Sequence, residues 1–196
     1  MTKILKIQIR DLDLNESDGF PTSEEEIREV CEKYDIQNYR IVDGKVNVEG
    51  DVYLSDRSLT RLPIRFGIVK GHFLCENNEL TSLEGSPETV GGDFNCYMNK
   101  LTSLEGCPET VGGSFYCFNN KLTSLEGGPK TVSGNFYCHD NELTSLEGSP
   151  QTVGGSFYCD NNNLTSIEGI PKIGGKFICK NNPISKILDA GQKFDV

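Results

Sequence analysis

The sequence predicts a solenoid of the α/β class, built mainly of β-structure, with a small α+β cap at its N-terminus. The first observation behind this prediction is an unvarying 21-residue period, in which the segment Leu80–Lys100 recurs three more times and ends at Asn163. The second is a pair of less regular copies at the flanks, Leu59–Glu79 before and the 20-residue Leu164–Pro183 after. A fixed period of this length indicates that each copy forms one coil of a solenoid.

Residues 1–50 are expected to form the N-terminal cap. Residues 3–11 alternate apolar and polar side chains, which predicts a half-buried strand. Residues 23–34 are predicted to form a helix, because Ser23 and the glutamate three residues later have capping-box spacing and apolar residues follow at helical intervals. The Asp-Gly dipeptide in residues 39–48 suits the turn of a hairpin. A cap is needed because the first coil would otherwise expose its core and a free sheet edge.

Residues 51–183 are expected to form the coils, and residues 184–196 a short C-terminal cap. Each copy contains the pattern Phe-x-Cys-x-x-Asn-x-Leu, as at Phe115, Cys117 and Asn120. This pattern resembles the L-x-L-x-x-N-x-L segment of leucine-rich repeats, with Phe and Cys in the first two leucine positions. The period is similar to that of the short bacterial class of these repeats. The whole chain is similar to repeat proteins encoded by large tailed phages.

The resemblance implies a right-handed leucine-rich-repeat superhelix in which the Phe-x-Cys portions form a parallel sheet lining a concave face. It also implies a buried ladder of hydrogen-bonded asparagine side chains where the chain leaves each strand. Arg57 replaces the asparagine in the first coil, so the ladder is expected to begin at Asn78. A phage-encoded protein of this kind would act in the host bacterial cytosol.

The net charge limits which kinds of partner are expected. A formal charge of −10 argues against direct nucleic-acid binding, because that affinity comes mainly from Lys and Arg neutralising phosphates. A protein partner with a basic or mixed surface is expected, and homo-oligomerisation stays open. The sequence shows neither the apolar run of a signal peptide nor a stretch long enough to cross a membrane, which predicts a cytoplasmic protein without membrane contact.

The cysteines are expected to be free thiols. Six of the eight recur at one position of the repeat. Side chains that project in parallel from an in-register sheet have poor geometry for a disulfide. Buried thiols that behave as small apolar groups are therefore predicted, in a reducing compartment.

The sequence offers little for catalysis, and we expect a non-enzymatic protein without a cofactor or metal. His139 lies between Cys138 and Asp140, which suggests a nucleophile and a base, but neighbouring strand residues point to opposite faces. His72 lies three coils from His139, and no zinc-ligand spacing is present. The Gly-Gly pairs lack the surrounding motif of a phosphate-binding loop, so we expect them to supply a tight bend before the strand.

The residues on either side of each Phe and Cys are expected to face outward and form a binding surface. Exposed tyrosines at this density are typical of interfaces, because Tyr brings rigid area and a polar tip. The candidate partner-binding residues are Leu74, Glu76, Asp93, Tyr97, Tyr116, Phe118, Tyr137, His139, Tyr158 and Asp160. The alternative interpretation is that the aromatic residues only stabilise the sheet by cross-strand stacking.

A second column contains one glutamate in each coil, at Glu84, Glu105, Glu126, Glu147 and Glu168. Stacked carboxylates repel one another, so some interaction must offset the repulsion. We expect hydrogen bonds from local turn amides or Thr and Ser hydroxyls. The alternative is an acidic stripe that mimics a phosphate backbone or binds cations.

Three functional hypotheses follow. The first is a non-catalytic module that holds a protein partner on the concave aromatic face, and the phage resemblance suggests a factor that inhibits a host defence or regulatory protein. The second is an acidic mimic of nucleic acid that occupies a host enzyme's binding site. The third is a protein that sequesters a small ligand, such as a nucleotide, between its aromatic side chains.

Overall fold

The structure, a computed structural model, describes residues 19–185. The predicted strand at 3–11 and all but the first two residues of the predicted C-terminal cap lie outside these residues. The described chain is a mostly β solenoid with parallel sheets and one short helix, as the repeat predicts.

Helix α1 spans Glu24–Lys33 and begins at the expected capping box. Ser23 Oγ accepts a hydrogen bond from the Glu26 N–H (3.3 Å), and the Glu26 carboxylate accepts one from the Ser23 N–H (3.2 Å). These bonds pair amides that have no partner within the helix, and they lower the pKa of Glu26. Ile27 and Cys31 lie one turn apart, and both are buried in the core, which they share with the coils.

The strands are short and regular. Their bounds are β1 Tyr39–Val42, β2 Lys45–Val48, β3 Val52–Tyr53, β4 Phe66–Val69, β5 Phe73–Leu74, β6 Thr89–Val90, β7 Phe94–Asn95, β8 Thr110–Val111, β9 Phe115–Tyr116, β10 Thr131–Val132, β11 Phe136–Tyr137, β12 Thr152–Val153, β13 Phe157–Tyr158, β14 Lys172–Ile173 and β15 Phe177–Ile178. The antiparallel pair β1–β2 turns at Asp43 (φ 50°) and Gly44 (φ 72°), both left-handed as a type I′ turn requires. All other strand pairs among residues 19–185 are parallel.

Within residues 19–185 the strands form two sheets. The threonine sheet has eight strands in the order β1-β2-β4-β6-β8-β10-β12-β14, and the aromatic sheet has seven in the order β3-β5-β7-β9-β11-β13-β15. We number the coils 1 to 7 after the strands of the aromatic sheet, from β3 to β15. The sequence predicts only the aromatic sheet. The strands of the repeated Thr-Val dipeptides are two residues long, too short for an alternating pattern to be visible.

The register of both sheets places each repeat position in a column. Thr131 pairs with Thr110 and Thr152, and Phe136 pairs with its counterparts in the coils on either side. The inward columns of the two sheets are buried in coils 1 to 6, and the phenylalanine rings at the core are stacked 5.1–5.9 Å apart. Stacking thus buries apolar surface that one coil alone would leave exposed.

The cysteines are free thiols, and seven of the eight are buried. The Cys117 Sγ lies 3.4 Å from the carbonyl oxygen of Tyr137 in the next coil. Burial raises the pKa of the Cys117 thiol well above its usual value. These thiols therefore act as small core residues, as predicted.

The asparagine ladder is present and begins at Asn78, as predicted. Asn99 is typical: its Nδ2 donates to the carbonyl oxygens of Cys75 and Cys96, at 3.1 Å each, and its Oδ1 accepts from the Leu80 N–H at 2.9 Å. The members are Asn78, Asn99, Asn120, Asn141, Asn162 and Asn182. Each amide joins two consecutive coils, because its partners belong to both.

The Gly-Gly pairs serve close packing between coils. The N–H of Gly113 donates to the carbonyl of Gly92 at 2.9 Å, and the same bond links the second glycine of every coil to its neighbour. A Cβ atom on Gly113 would lie 2.7 Å from the carbonyl carbon of Gly92. The pairs that precede the aromatic strands contain no left-handed residue: Gly91–Gly92, Gly112–Gly113, Gly154–Gly155 and Gly174–Gly175. The backbone bends at these pairs, as predicted, and the close approach of the neighbouring coil is what requires glycine there.

Candidate functional site

Three columns of side chains face outward from the aromatic sheet. The first column precedes the phenylalanines and contains Asp51, His72, Asp93, Ser114, Asn135, Ser156 and Lys176. The middle column contains Tyr53, Leu74, Asn95, Tyr116, Tyr137, Tyr158 and Ile178. The third column follows the cysteines and contains Ser55, Glu76, Tyr97, Phe118, His139, Asp160 and Lys180. All ten sequence-predicted site residues belong to these columns.

The middle column contains a stack of three tyrosines. The rings of Tyr116 and Tyr137 lie 4.7 Å apart at 8°, and those of Tyr137 and Tyr158 lie 4.6 Å apart at 10°. All three side chains are half-buried, so ring edges and hydroxyls remain accessible. Burial and the neighbouring tyrosines raise the pKa of Tyr137.

The third column contains a second stack, one coil nearer the N-terminus. The rings of Tyr97 and Phe118 lie 4.5 Å apart at 6°, and those of Phe118 and His139 lie 4.4 Å apart at 16°. Tyr137 meets His139 edge-on at 6.2 Å and 86°, which joins the two stacks. We call the six residues the aromatic stripe: Tyr97, Tyr116, Phe118, Tyr137, His139 and Tyr158.

The first column forms a second ladder, which the sequence analysis did not predict. The Asp93 Oδ1 accepts a hydrogen bond from the Ser114 N–H at 2.6 Å, and the Ser114 Oγ accepts from the Asn135 N–H at 3.0 Å. The same contact, from one side chain to the amide one coil later, runs from Asp51 to Lys176. Every accepting position carries an Asp, Asn, Ser or His side chain with a lone pair, but the sequence alone does not show that this side chain meets an amide of the next coil. One oxygen of Asp93 is therefore held within the sheet.

The polar candidates lie at the two ends of the aromatic stripe. Glu76 is near the N-terminal end, where it contributes, after burial, to raising the pKa of Tyr97. Asp160 is at the other end, and its Oδ1 accepts from the Lys180 N–H at 2.8 Å. The Nδ1 of His139 lies 2.6 Å from the Asp140 Oδ2. His139 faces outward while the neighbouring Cys138 is fully buried, as alternation predicts, so the two do not form a catalytic pair.

A shallow cavity lies at the C-terminal end of the aromatic stripe. Its volume is about 410 Å³, and its lining includes Tyr137, Tyr158 and Ile178 with the charged Asp160 and Lys180. The cavity combines an aromatic wall with one carboxylate and one ammonium group. It could hold one side chain of a partner that has an apolar body and a polar tip.

The glutamate column differs from its expected role. In four of the five turns, all except that of Glu126, the glutamate's own N–H donates to a serine hydroxyl two residues earlier, as from Glu105 to Ser103 at 3.0 Å. The five carboxylates are exposed and have no hydrogen bond or ion pair with any residue from 19 to 185. The expectation that these carboxylates accept bonds from the turn is therefore wrong, because the serine already occupies the amide.

Other known proteins add nothing to this picture, since no protein-family model, curated protein or solved structure matches the chain. Across the described part of the chain, no group of three or more His, Cys, Asp or Glu side chains could hold a metal ion. No helix in that part is long and apolar enough to cross a membrane.

Proposed function

We propose that the protein is a non-catalytic binding module that holds a protein partner on the aromatic stripe. The observation that carries this proposal is the pair of joined stacks, in which six half-buried aromatic side chains lie side by side on one outer face. Stacking restricts the rings before a partner arrives, so binding loses little additional side-chain entropy. The tyrosine hydroxyls supply polar groups at the ring edges, as protein interfaces use them.

The size of the surface indicates how the partner is held. The seven strands of the aromatic sheet, spaced roughly 4.8 Å apart, give a face about 29 Å long. A stable interface buries about 800 Å² on each partner. The aromatic stripe covers the middle of this face, so the partner must also contact the polar residues at both ends.

The charges at the two ends favour a partner with a mixed surface. Glu76 and Asp93 lie near the N-terminal end of the aromatic stripe, and Lys176 and Lys180 lie beyond its C-terminal end. Complementary charges on the partner would speed encounter and orient it along the sheet.

We further propose that the coils are leucine-rich repeats, that the protein acts in a bacterial cytosol and that its partner is a host defence or regulatory protein. The asparagine ladder at the turn out of each strand supports the repeat class. The host partner rests on the resemblance of the repeated T-S-L-E-G-x-P segment to phage-encoded proteins.

The test compares two double variants in the same two coils. Tyr116→Ala with Tyr137→Ala removes the centre of the aromatic stripe, and Thr110→Ala with Thr131→Ala changes the outer face of the threonine sheet. The immobilised protein captures partners from bacterial lysate, and affinity for the purified partner is then measured by calorimetry. We expect at least a tenfold loss with the tyrosine variant and none with the threonine variant. Equal capture by both folded variants, checked by circular dichroism, would reject the proposal.

A nucleic-acid mimic is the second candidate, because the five glutamate carboxylates are exposed and unpaired within the described coils. The triple variant Glu105→Gln, Glu126→Gln and Glu147→Gln distinguishes the two in the same assay. Capture lost with the glutamine variant and kept with the tyrosine variant would favour the mimic.

A further inference from the structure

In the aromatic sheet, three backbone N–H groups of each coil donate to carbonyl oxygens of the next coil. Between coils 6 and 7, the N–H groups of Phe157, Cys159 and Asn161 donate to carbonyl oxygens of coil 7, at 2.7, 2.8 and 3.0 Å. The equivalent bonds occur between every earlier pair of coils. These three N–H groups of each coil therefore point toward the C-terminal end of the solenoid.

The last coil leaves this series unpaired. The equivalent donors in coil 7 are the N–H groups of Phe177, Cys179 and Asn181, and none of them has an acceptor among residues 19–185. The asparagine ladder beside them is closed, because the Ser185 hydroxyl donates to the Cys179 carbonyl at 2.6 Å, where a further asparagine would otherwise donate. The turn is thus completed, and within residues 19–185 the outer edge of β15 is open.

The open edge is basic, although the chain is acidic. Residues 170–185 contain three lysines and no Asp or Glu. Lys172, Lys176 and Lys180 are exposed and form no ion pair with another described residue. Phe177 and Ile178 between them are half-buried, whereas the phenylalanines of the inner coils are fully buried. The edge therefore presents unpaired donors, positive charge and apolar surface together.

We propose that this edge binds an extended, acidic segment of a partner protein, which adds an eighth strand to the aromatic sheet. Alternate carbonyl groups of such a strand are about 6.6–6.8 Å apart and match the three donors. Its outward side chains would lie beside Lys176, Ile178 and Lys180, which favours the order acidic, apolar, acidic. The apolar side chain would adjoin the 410 Å³ cavity that includes Tyr158 and Ile178.

The chain's own first strand shows which sequence suits this position. Residues 51–54 read Asp-Val-Tyr-Leu, with Val52 and Leu54 buried and Asp51 and Tyr53 facing outward. In a second copy this strand is the end strand of the aromatic sheet, but β1 extends the threonine sheet one strand beyond it, so a copy that paired with β15 would have to fit β1 beside β14 as well. Two C-terminal edges in contact would bring the lysines of both copies together, which repel. A free acidic segment meets neither obstacle.

The test uses the full chain and a fluorescein-labelled peptide, Gly-Asp-Val-Tyr-Leu-Asp-Gly, which keeps the sequence of residues 50–54 and places Asp at the outward position of Ser55. Binding is followed by fluorescence anisotropy, and amide hydrogen exchange is followed by NMR. We expect the amides of Phe177 and Cys179 to exchange rapidly in the free protein and at least tenfold more slowly with saturating peptide. A peptide with both Asp residues replaced by Lys should bind at least tenfold more weakly.

A matched pair of variants tests the role of charge. Lys180→Glu and Lys121→Glu change the net charge equally, and both lysines are exposed, but Lys121 lies three coils from the edge. We expect the first variant to weaken peptide binding about tenfold and the second to leave it within about twofold.

Three results would overturn the proposal. The first is peptide binding without protection of Phe177 and Cys179. The second is protection of these amides in the free protein at every concentration, because the edge would then be covered by the chain itself. The third is protection that rises with protein concentration, which would identify a second copy as the occupant. None of these results would affect the aromatic-stripe proposal, whose variants lie in coils 4 and 5.

Discussion

The two sheets of the solenoid are built on the same core and the same register, but their outer faces differ. The threonine sheet presents one threonine column from Thr89 to Thr152, whereas the middle column of the aromatic sheet presents Asn95 in coil 3 and tyrosines in coils 4 to 6. Both columns maintain parallel pairing across coils 3 to 6. A threonine column is therefore sufficient for such a sheet, since β-branched side chains suit a pleated surface. The aromatic stripe exceeds what pairing requires, which favours a binding role over sheet stabilisation alone.

The inward-facing residues, unlike the outward-facing ones of the aromatic sheet, are nearly constant along each sheet. Phenylalanine and cysteine under the aromatic sheet, and valine under the threonine sheet, are repeated with little change from coil to coil. Variation is concentrated in the outward columns of the aromatic sheet. Inward residues thus determine the shape of the solenoid, and outward residues of one sheet are free to differ for a partner.

The largest expected effect comes from truncating the buried side chains under the two sheets. Phe136 and Val132 are both fully buried in coil 5, one under each sheet. Phe136→Ala should lower the free energy of unfolding by about 4 kcal/mol, because it removes a ring stacked against Phe115 and Phe157 and leaves a cavity. Val132→Ala should lower it by about 2 kcal/mol, because less apolar surface is lost. Urea unfolding followed by circular dichroism measures both, and equal losses would contradict the larger role of the aromatic side of the core.

How much of the fold and of the site the sequence predicts depends on how many residues each sequence pattern spans. The columns, the buried thiols and the ladder beginning at Asn78 follow from a period that repeats without a shift. The threonine sheet could not be predicted, because its strands from β6 onward are each only two residues long. The bonding of Asp93 also could not, because a side chain that accepts from the next coil cannot be recognised until both coils are placed. The unpaired donors at the edge of coil 7 could be recognised only by comparison with the hydrogen bonds of the inner coils.

An intermediate effect concerns the junction between the sheets, where a glycine column links consecutive coils. Gly113→Ala should lower the free energy of unfolding by about 3 kcal/mol, because the new Cβ would lie 2.7 Å from the carbonyl carbon of Gly92 and the coils would have to separate. Gly50 occupies the same column in coil 1, and a Cβ there would meet nothing within 4 Å. Gly50→Ala should therefore change the free energy by less than about 0.5 kcal/mol. Equal effects in urea unfolding would show that backbone entropy, and not contact between coils, explains the column.

The smallest effect comes from making one sheet resemble the other. Tyr137→Thr gives the outer face of coil 5 on the aromatic sheet the residue that the threonine sheet already carries at Thr131. The change removes two stacked contacts, to Tyr116 and Tyr158, and one edge contact to His139. Each aromatic pair contributes about 0.5–1.5 kcal/mol, and the β-branched replacement restores part of that stability. We expect a net loss of about 1 kcal/mol in urea unfolding.

Thr131→Ala is the matched control in the same coil, and it should change the free energy of unfolding by less than about 0.5 kcal/mol. A loss of more than about 3 kcal/mol from Tyr137→Thr would mean that the stacks are needed to hold the coils together. In that case sheet stabilisation would account for the aromatic stripe without a partner. A loss near 1 kcal/mol from Tyr137→Thr would show that the coils remain folded without the complete stack. If the tyrosine double variant also fails to capture the partner, the aromatic stripe is needed for binding and not for the fold.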